Sequence, residues 1–126
     1  MADFNYNAIA QQFTQFYYST FDTDRAQLAP LYRPDSMLTF EGAQHLGAQG
    51  IVSKLEELPF QKVVHQVTTM DVQPSSPTVR SMLVSVSGLL KVDDGEHPLQ
   101  FSQIFHLVPD GDSYYVFNDI FRLNLG

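Results

Sequence analysis

The strongest constraint on the fold is a change in the spacing of apolar residues about halfway along the chain. In the first part they recur every three or four positions, which is the repeat of an amphipathic helix. In the second part apolar and polar residues alternate, which is the twofold repeat of a β-strand. Helices followed by a run of strands predict an α+β domain, with a curved antiparallel sheet wrapped over the helices.

The predicted elements follow from this pattern and from its breaks. A first helix is expected over residues 5–20 with Asp3 or Asn5 as its cap, and a second over residues 25–32 with Asp22 or Thr23 as its cap. These two form a helical hairpin. The inward stripe of the first helix is expected to consist of Ile9, Phe13, Phe16, Tyr17 and Phe21. A third helix is expected over residues 48–58, and strands over residues 37–40, 63–69, 79–92, 100–108 and 113–123.

Composition limits the function classes. The 126 residues suffice for one core, so residues 1–126 are expected to form a single domain. A formal net charge of −7 with no Lys/Arg cluster argues against nucleic-acid binding and favours a basic protein partner. No apolar run approaches the ~18 residues of a membrane span, so no membrane insertion is expected. The chain has no Cys, its four His lack metal-ligand spacing, and no nucleotide-binding motif occurs, so no cofactor is expected.

One carboxylate is expected among aromatic side chains. Alternation along the last strand places Asp119 on the same face as Tyr115, Phe117 and Phe121, where a charge needs a partner. His65, in a similar apolar setting on the strand over residues 63–69, is the candidate partner. Such a pair could be a general base in a pocket, because burial raises the pKa of a carboxyl group. The alternative is an ion pair that fixes strand packing, which base rates favour.

Two further features suggest contact with a partner. The acidic turn over residues 93–96, together with Glu41, could form a negative rim beside a hydrophobic opening and steer a basic protein. From the sequence alone a solvated turn is the simpler interpretation. Tyr6 lies outside the apolar stripe of the first helix and is a candidate exposed contact residue, although lone exposed aromatics are common.

Five blocks of sequence, taken together, resemble the nuclear transport factor 2 family, particularly its fungal members. They are FTQFYY at 13–18, FDTDR at 21–25, MLTFE at 37–41, LPFQK at 58–62 and NDIFRL at 118–123. The resemblance implies a cone-like α+β fold and a homodimer packed through its sheets. It also implies nucleocytoplasmic transport: the import of the GDP-bound form of the small GTPase Ran through nuclear pores, by contact with FxFG repeats of nucleoporins. The implied location is the cytoplasm and nucleus, with enrichment at the pores.

The resemblance also assigns roles to residues. It implies that a phenylalanine from the switch II region of Ran enters an apolar cavity, whose positions in this sequence are Phe40, Leu58, Val63 and Phe121. Its acidic contacts to basic Ran residues correspond to Glu41 and Asp93. A third acidic contact falls near Gly95 or Glu96, where the loop differs in length from relatives, and Glu96 is preferred over Asp94. Tyr6 takes the place of the Trp or Phe that helps to bind FxFG cores.

Other functions remain possible for such a fold. Ketosteroid isomerase and scytalone dehydratase share it, so His65, Asp119 and a nearby Tyr could form an acid-base set acting on an apolar substrate. No such activity is expected, because the five blocks follow the transport factor and not those enzymes. A generic adaptor domain of the kind found in RNA-export proteins is disfavoured, since the chain ends soon after the predicted fold.

Overall fold

The computed structural model describes residues 5–59, 61–93, 95 and 97–124. Helix α1 (Tyr6–Thr23) is followed by a short 3₁₀ helix (Arg25–Leu31), and helix α2 (Ala48–Glu56) lies between the second and third strands. The six strands are β1 (Tyr32–Phe40), β2 (Ala43–Leu46), β3 (Val63–Pro74), β4 (Met82–Val92), β5 (Leu99–Asp110) and β6 (Ser113–Leu123). None of the helices in this part of the chain combines the length and the apolar character needed to cross a bilayer.

All six strands form one sheet in the order β2-β1-β6-β5-β4-β3. The last four strands are antiparallel neighbours in chain order, as the alternating pattern predicts, whereas β1 joins the sheet by pairing parallel to β6. The α+β fold with a curved sheet packed against the helices is therefore confirmed. The core lies between α1 and the sheet, where Tyr17, Phe101, Phe105 and Leu107 are almost fully buried.

Helix α1 begins at its expected cap but buries a different stripe. The Asn5 side chain accepts a hydrogen bond from the backbone N–H of Ala8 at 3.0 Å. Phe16 was expected to face inward, yet 55% of its surface is exposed. Thr14 and Tyr18 are buried instead, because the Thr14 hydroxyl donates to a backbone carbonyl and the Tyr18 hydroxyl donates to Gln103. Once satisfied in this way, polar groups can enter a core.

The second helix is a 3₁₀ helix, and its cap differs from the prediction. Asp24, rather than Asp22 or Thr23, accepts a hydrogen bond from the backbone N–H of Ala26 at 3.2 Å. The Asp22 carboxylate is bound to His65 instead.

Strand β1 starts five residues earlier than expected, and β2 was not predicted. Buried Ser36 supports the irregular start of β1 by accepting from the backbone N–H of Arg33 and donating to the carbonyl of Val116. Strand β2 follows after a two-residue turn in which Glu41 and Gly42 have φ values of 50° and 87°. Both positive values are typical of the tight hairpin turn that matches strand twist. At four residues and largely exposed, β2 carries no clear sequence pattern.

Strand β6 does not alternate regularly, which changes its inward face. The β5–β6 register shifts next to His106, with Asn118 opposite His106 and Val116 opposite Leu107. The extra residue is Phe117, whose ring lies beside His106 rather than on the inward face with Asp119. The predicted row of Tyr115, Phe117 and Asp119 on one face is therefore wrong. Val116 occupies the buried position instead.

Candidate functional site

An apolar cavity of about 300 Å³ lies between the helices and the end of the sheet. Its walls come from the end of α1, from α2 and from strands β1, β3, β4, β5 and β6. The lining residues are Tyr17, Phe21, Leu38, Phe40, Leu55, Leu58, Pro59, Val63, His65, Leu90, Val92, Leu99, Gln103, Phe121 and Leu123. The four residues to which the resemblance assigned a cavity, Phe40, Leu58, Val63 and Phe121, are all among them.

Two stacked rings form one wall of this cavity, and a third, buried ring lies behind them. The rings of Phe40 and Phe121 lie almost parallel, with centroids 4.8 Å apart and an angle of 7° between their planes. Phe121 in turn stacks on Phe101 at 5.7 Å. The parallel pairing of β1 with β6 sets Phe40 beside Phe121 in register. Phe40, Val92 and Leu123 keep part of their surface exposed, so the cavity opens to solvent on this side.

The expected acidic residues Glu41 and Asp93 follow directly after the cavity residues Phe40 and Val92. Both are exposed, and both adopt left-handed backbone conformations, with φ values of 50° and 52°. Asp93 Oδ1 accepts from the backbone N–H groups of Gln61 and Lys62 at 3.0 and 2.9 Å. Glu41 Oε1 accepts from the backbone N–H of Leu123. These bonds fix two carboxylates beside the opening.

The rim of the opening, where Glu41 and Asp93 lie, also contains a cation that the sequence did not indicate. The ammonium group of Lys54, on α2, lies 5.5 Å from the centre of the Phe40 ring. A cation at this distance from a ring face is attracted by the negative face of the ring. Lys54 therefore covers part of the Phe40 ring, and one positive group lies beside the opening as well as two negative ones.

Behind the cavity floor, Asp119 accepts hydrogen bonds from three side chains. Tyr32 donates to Oδ2 at 2.8 Å, Tyr17 lies 3.3 Å from the same oxygen, and Gln103 Nε2 donates to Oδ1 at 2.8 Å. The Tyr17 and Tyr32 hydroxyls are also 2.8 Å apart, and the Gln103 oxygen accepts from Tyr18 at 2.7 Å. We call these five side chains the floor network. Each of its polar atoms named here has a partner inside the fold.

Burial dominates the protonation of the floor network. It raises the pKa of Asp119 to about 6, although the bonds from Gln103, Tyr32 and Tyr17 lower it. Burial also raises the pKa of the hydroxyls of Tyr17, Tyr18 and Tyr32, and the nearby Asp119 raises them further. The three phenols therefore stay protonated and act as donors.

His65 does not pair with Asp119, and the predicted pair is wrong. Its Nδ1 lies 2.6 Å from Oδ1 of Asp22, and its backbone N–H donates to the other oxygen of Asp22 at 3.0 Å. Its ring packs between Tyr18 and Phe21. The partner was missed because Asp22 lies in the last turn of α1, and nothing in the sequence indicates that this turn meets the first residues of β3.

The described side chains in and behind the cavity include few groups that could take part in acid-base catalysis or bind a metal ion. Tyr17 and Gln103 line the cavity, whereas Asp119 lies behind them and does not. A substrate in the cavity therefore meets these two side chains and His65, all three already hydrogen-bonded, and not the carboxylate. Among the described residues, no group of three or more His, Asp or Glu side chains is placed to hold a metal ion.

Comparison with known proteins shows the family of the chain. Residues 9–123 match the family model of the nuclear transport factor 2 (NTF2) domain. The chain belongs to the nuclear transport factor 2 family. It is 62% identical over 120 residues to nuclear transport factor 2 of Candida glabrata and 61% identical to that of Saccharomyces cerevisiae, and each alignment covers 95% of both chains. The solved structure of nuclear transport factor 2 from Cryptosporidium parvum matches with a TM-score of 0.88 and 46% identity over 94% of each chain.

Two further residues that the family resemblance singled out lie apart from the cavity or outside the described residues. Tyr6, in the first turn of α1, is half-buried rather than exposed. It lies near Tyr114, whose pKa is raised by burial and by the neighbouring Tyr6. Tyr114 is near the start of β6, and the cavity opening at Phe121 and Leu123 is at its end, which puts Tyr114 roughly 23–30 Å from the opening at about 3.3 Å per residue. Glu96 lies outside the described residues.

Proposed function

We propose that this nuclear transport factor 2 family member carries GDP-bound Ran into the nucleus, with a phenylalanine of Ran switch II inserted in the apolar cavity. The observation that carries the proposal is a cavity open at the stacked Phe40 and Phe121 rings, with the carboxylates of Glu41 and Asp93 beside the opening. The names of the close relatives support a role in nuclear transport. Both the cytoplasm and the nucleus, with enrichment at nuclear pores, are the locations that this role requires.

The cavity and its rim have different roles in recognition. A phenylalanine ring that leaves water for the cavity contributes roughly 1.5–3 kcal/mol. The rim carboxylates attract basic residues of Ran and set its orientation. Selectivity for the GDP form then needs only a difference in switch II, so that the ring and the basic residues reach the site together in one nucleotide state.

A second contact region is proposed around Tyr6, for FxFG repeats of nucleoporins. Because this region lies at the opposite end of β6 from the cavity, a repeat bound there would leave the opening free for Ran. A carrier needs both partners bound at once. Tyr6 is half-buried, so only part of its ring is offered, which favours weak binding and fast release from the repeats.

The homodimer that the family resemblance implies would use the outer face of the sheet. Ile104 and Ile120 are directly opposite each other on β5 and β6, and both are more than 40% exposed, as is Leu83 on β4. We expect Ile104→Lys to shift sedimentation at micromolar concentration from dimer to monomer. Val79→Lys, at an exposed apolar position in the β3–β4 connection, should leave the dimer intact. A dimeric Ile104→Lys protein would contradict the assigned face.

The function is tested by calorimetric titration with Ran-GDP and Ran-GTP. We expect binding of Ran-GDP only, and a loss of about tenfold, equal to ~1.4 kcal/mol, for each of Glu41→Gln and Asp93→Asn. These substitutions remove the charge and keep the oxygen that accepts from the backbone, so a folding defect is avoided. Asp112→Asn, in the exposed turn between β5 and β6, is the matched control. Equal binding of both nucleotide forms, or unchanged binding by both rim variants, would overturn the proposal.

An acid-base enzyme on the same scaffold is not proposed. It would need Asp119 and His65 to act together on a molecule in the cavity. His65 is bound to Asp22, and Asp119 is separated from the cavity by Tyr17 and Gln103.

A further inference from the structure

The cavity is larger than a phenylalanine ring requires. An apolar cavity of about 150 Å³ accommodates benzene, which has the size of that ring. The cavity here measures about 300 Å³. An inserted phenylalanine would leave roughly half of this space without contacts, and apolar walls without contacts forgo dispersion attraction. A two-ring molecule would fill it.

The walls also restrict the chemistry of such a ligand. Apart from Tyr17, His65 and Gln103, the lining side chains carry no polar atoms. The Tyr17 hydroxyl and the Gln103 amide are bonded within the floor network, and His65 Nδ1 is bonded to Asp22. A ligand in the cavity therefore needs few polar groups of its own to match the lining side chains. The Asp119 carboxylate behind the floor disfavours a negative charge, and the flat stack of Phe40 on Phe121 favours a planar aromatic ring.

We infer that the free protein binds a neutral two-ring aromatic molecule in this cavity, and that such a ligand excludes the protein partner. Both occupants need the space between Leu55, Val63 and Phe121, so they cannot be bound together. Partner binding then depends on the concentration of the small molecule. The first half of the inference stands without any partner, whereas the exclusion rests on the proposed function.

The first experiment is a titration of the free full-length protein with 2-naphthol, followed by NMR chemical shifts. We expect saturable shifts at Val63, Leu90 and Phe121, and no comparable shifts at the outer-face residues Ile104 and Ile120. Phenol, with a single ring, and 2-naphthalenesulfonate, with a negative charge, should each bind about tenfold more weakly or worse. Absence of saturable shifts at the cavity, or equal binding of the sulfonate, would overturn the inference.

A matched pair of variants tests the location. Val92 lines the cavity and keeps part of its surface exposed, so Val92→Phe can fill the space without forcing a ring into the closed core. We expect it to weaken 2-naphthol binding by about tenfold or more. Val79→Phe makes the same change at an exposed position beyond the far ends of β3 and β4 and should change binding less than twofold. Equal affinities of the two variants would place the ligand elsewhere.

The second experiment is competition. We expect saturating 2-naphthol to reduce Ran-GDP capture by about tenfold for the wild-type protein and equally for the control Val79→Phe. The comparison that decides is wild type against Val92→Phe, whose residual Ran-GDP capture should be insensitive to 2-naphthol. Ran-GDP binding without any 2-naphthol binding would refute this inference and leave the proposed function intact. Binding of 2-naphthol without Ran-GDP binding would refute the proposed function and leave the ligand site intact.

Discussion

The floor network behind the cavity and the rim at its opening both contain carboxylates that accept hydrogen bonds from neighbouring groups. Asp119, at the floor, is 1% exposed and accepts from side chains on α1, β1 and β5. Glu41 and Asp93, at the rim, are exposed and accept from backbone N–H groups at the ends of strands. The same chemical group therefore joins the parts of the core in one place and faces solvent in the other.

The two regions also carry different free-energy costs. At the floor the cost is desolvation, which raises the pKa of Asp119. At the rim it is backbone conformation, because a non-glycine residue in the left-handed region costs about 1–3 kcal/mol. Such costs are common where a residue is retained for function. This contrast predicts that changes at the floor affect folding, and that changes at the rim affect binding.

The largest expected effect is the loss of stability in Asp119→Leu. The substitution removes the acceptor of Gln103 and of one tyrosine hydroxyl, since Tyr17 and Tyr32 can satisfy only one of their two donors through each other, and each unsatisfied buried donor costs about 1–3 kcal/mol. Removal of a desolvated carboxylate offsets part of this. We expect a net loss of about 3 kcal/mol in the free energy of unfolding by urea. A loss below about 1 kcal/mol would contradict the role given to the floor network.

The second prediction concerns pH. The pKa of Asp119 is about 6 in the folded protein against 3.8 for an ordinary Asp, so the folded state holds this proton more tightly. The contribution of Asp119 to stability is therefore complete below about pH 4 and falls as the pH rises towards 6. At ~1.4 kcal/mol per pKa unit the loss is up to about 3 kcal/mol.

Urea unfolding of the wild type and of Asp119→Asn at fixed protein concentration, from pH 4 to pH 7, measures this loss. The Asn variant lacks the titration, so the difference between the two proteins isolates it. We expect that difference to shift in favour of the Asn variant as the pH rises. A constant difference would show that Asp119 does not titrate in this range.

The third prediction separates charge from hydrogen bonding at the rim. Asp93→Ala removes the acceptor of two backbone N–H groups, and we expect it to lose about 1 kcal/mol of stability, comparable to the loss of a helix cap. Asp93→Asn keeps the acceptor and should lose less than about 0.5 kcal/mol. Both should weaken Ran-GDP binding. If Asp93→Asn is as unstable as Asp93→Ala, the rim carboxylate serves folding rather than recognition.

The sequence predicted the fold better than the contacts within it. Periodicity located the long helix and the four-strand meander, because each of these elements exposes one face over many residues. It failed where a local irregularity resets the pattern, as at Phe117, and where a strand is as short as β2. It also misplaced Phe16, since the burial of Thr14 and Tyr18 depends on partners that lie elsewhere in the chain.

For the candidate site, too, some features were predicted from the sequence and others were not. Family resemblance assigned Phe40, Leu58, Val63 and Phe121 to one cavity, and the structure brings all four together. The sequence indicated that Asp119 needs a partner but suggested the wrong one, because the donors Tyr17, Tyr32 and Gln103 are separated from it by 16 to 102 positions. Hydrogen bonds between residues so far apart in the sequence depend on the packing of the whole fold, and no local sequence pattern predicts them.

The smallest expected effect on stability, and the sharpest test of the contrast, is Glu41→Asn. Asn followed by Gly is favoured in the two-residue hairpin turn that Glu41 and Gly42 form, so the substitution relieves the left-handed strain at residue 41. It also removes the acceptor for the backbone N–H of Leu123, a hydrogen bond with a net value of about 1 kcal/mol. The two effects oppose each other, and we expect stability within about 0.5 kcal/mol of the wild type while Ran-GDP binding weakens. A stability loss above 1 kcal/mol with unchanged binding would mean that Glu41 supports the fold, and would remove the distinction between rim and floor.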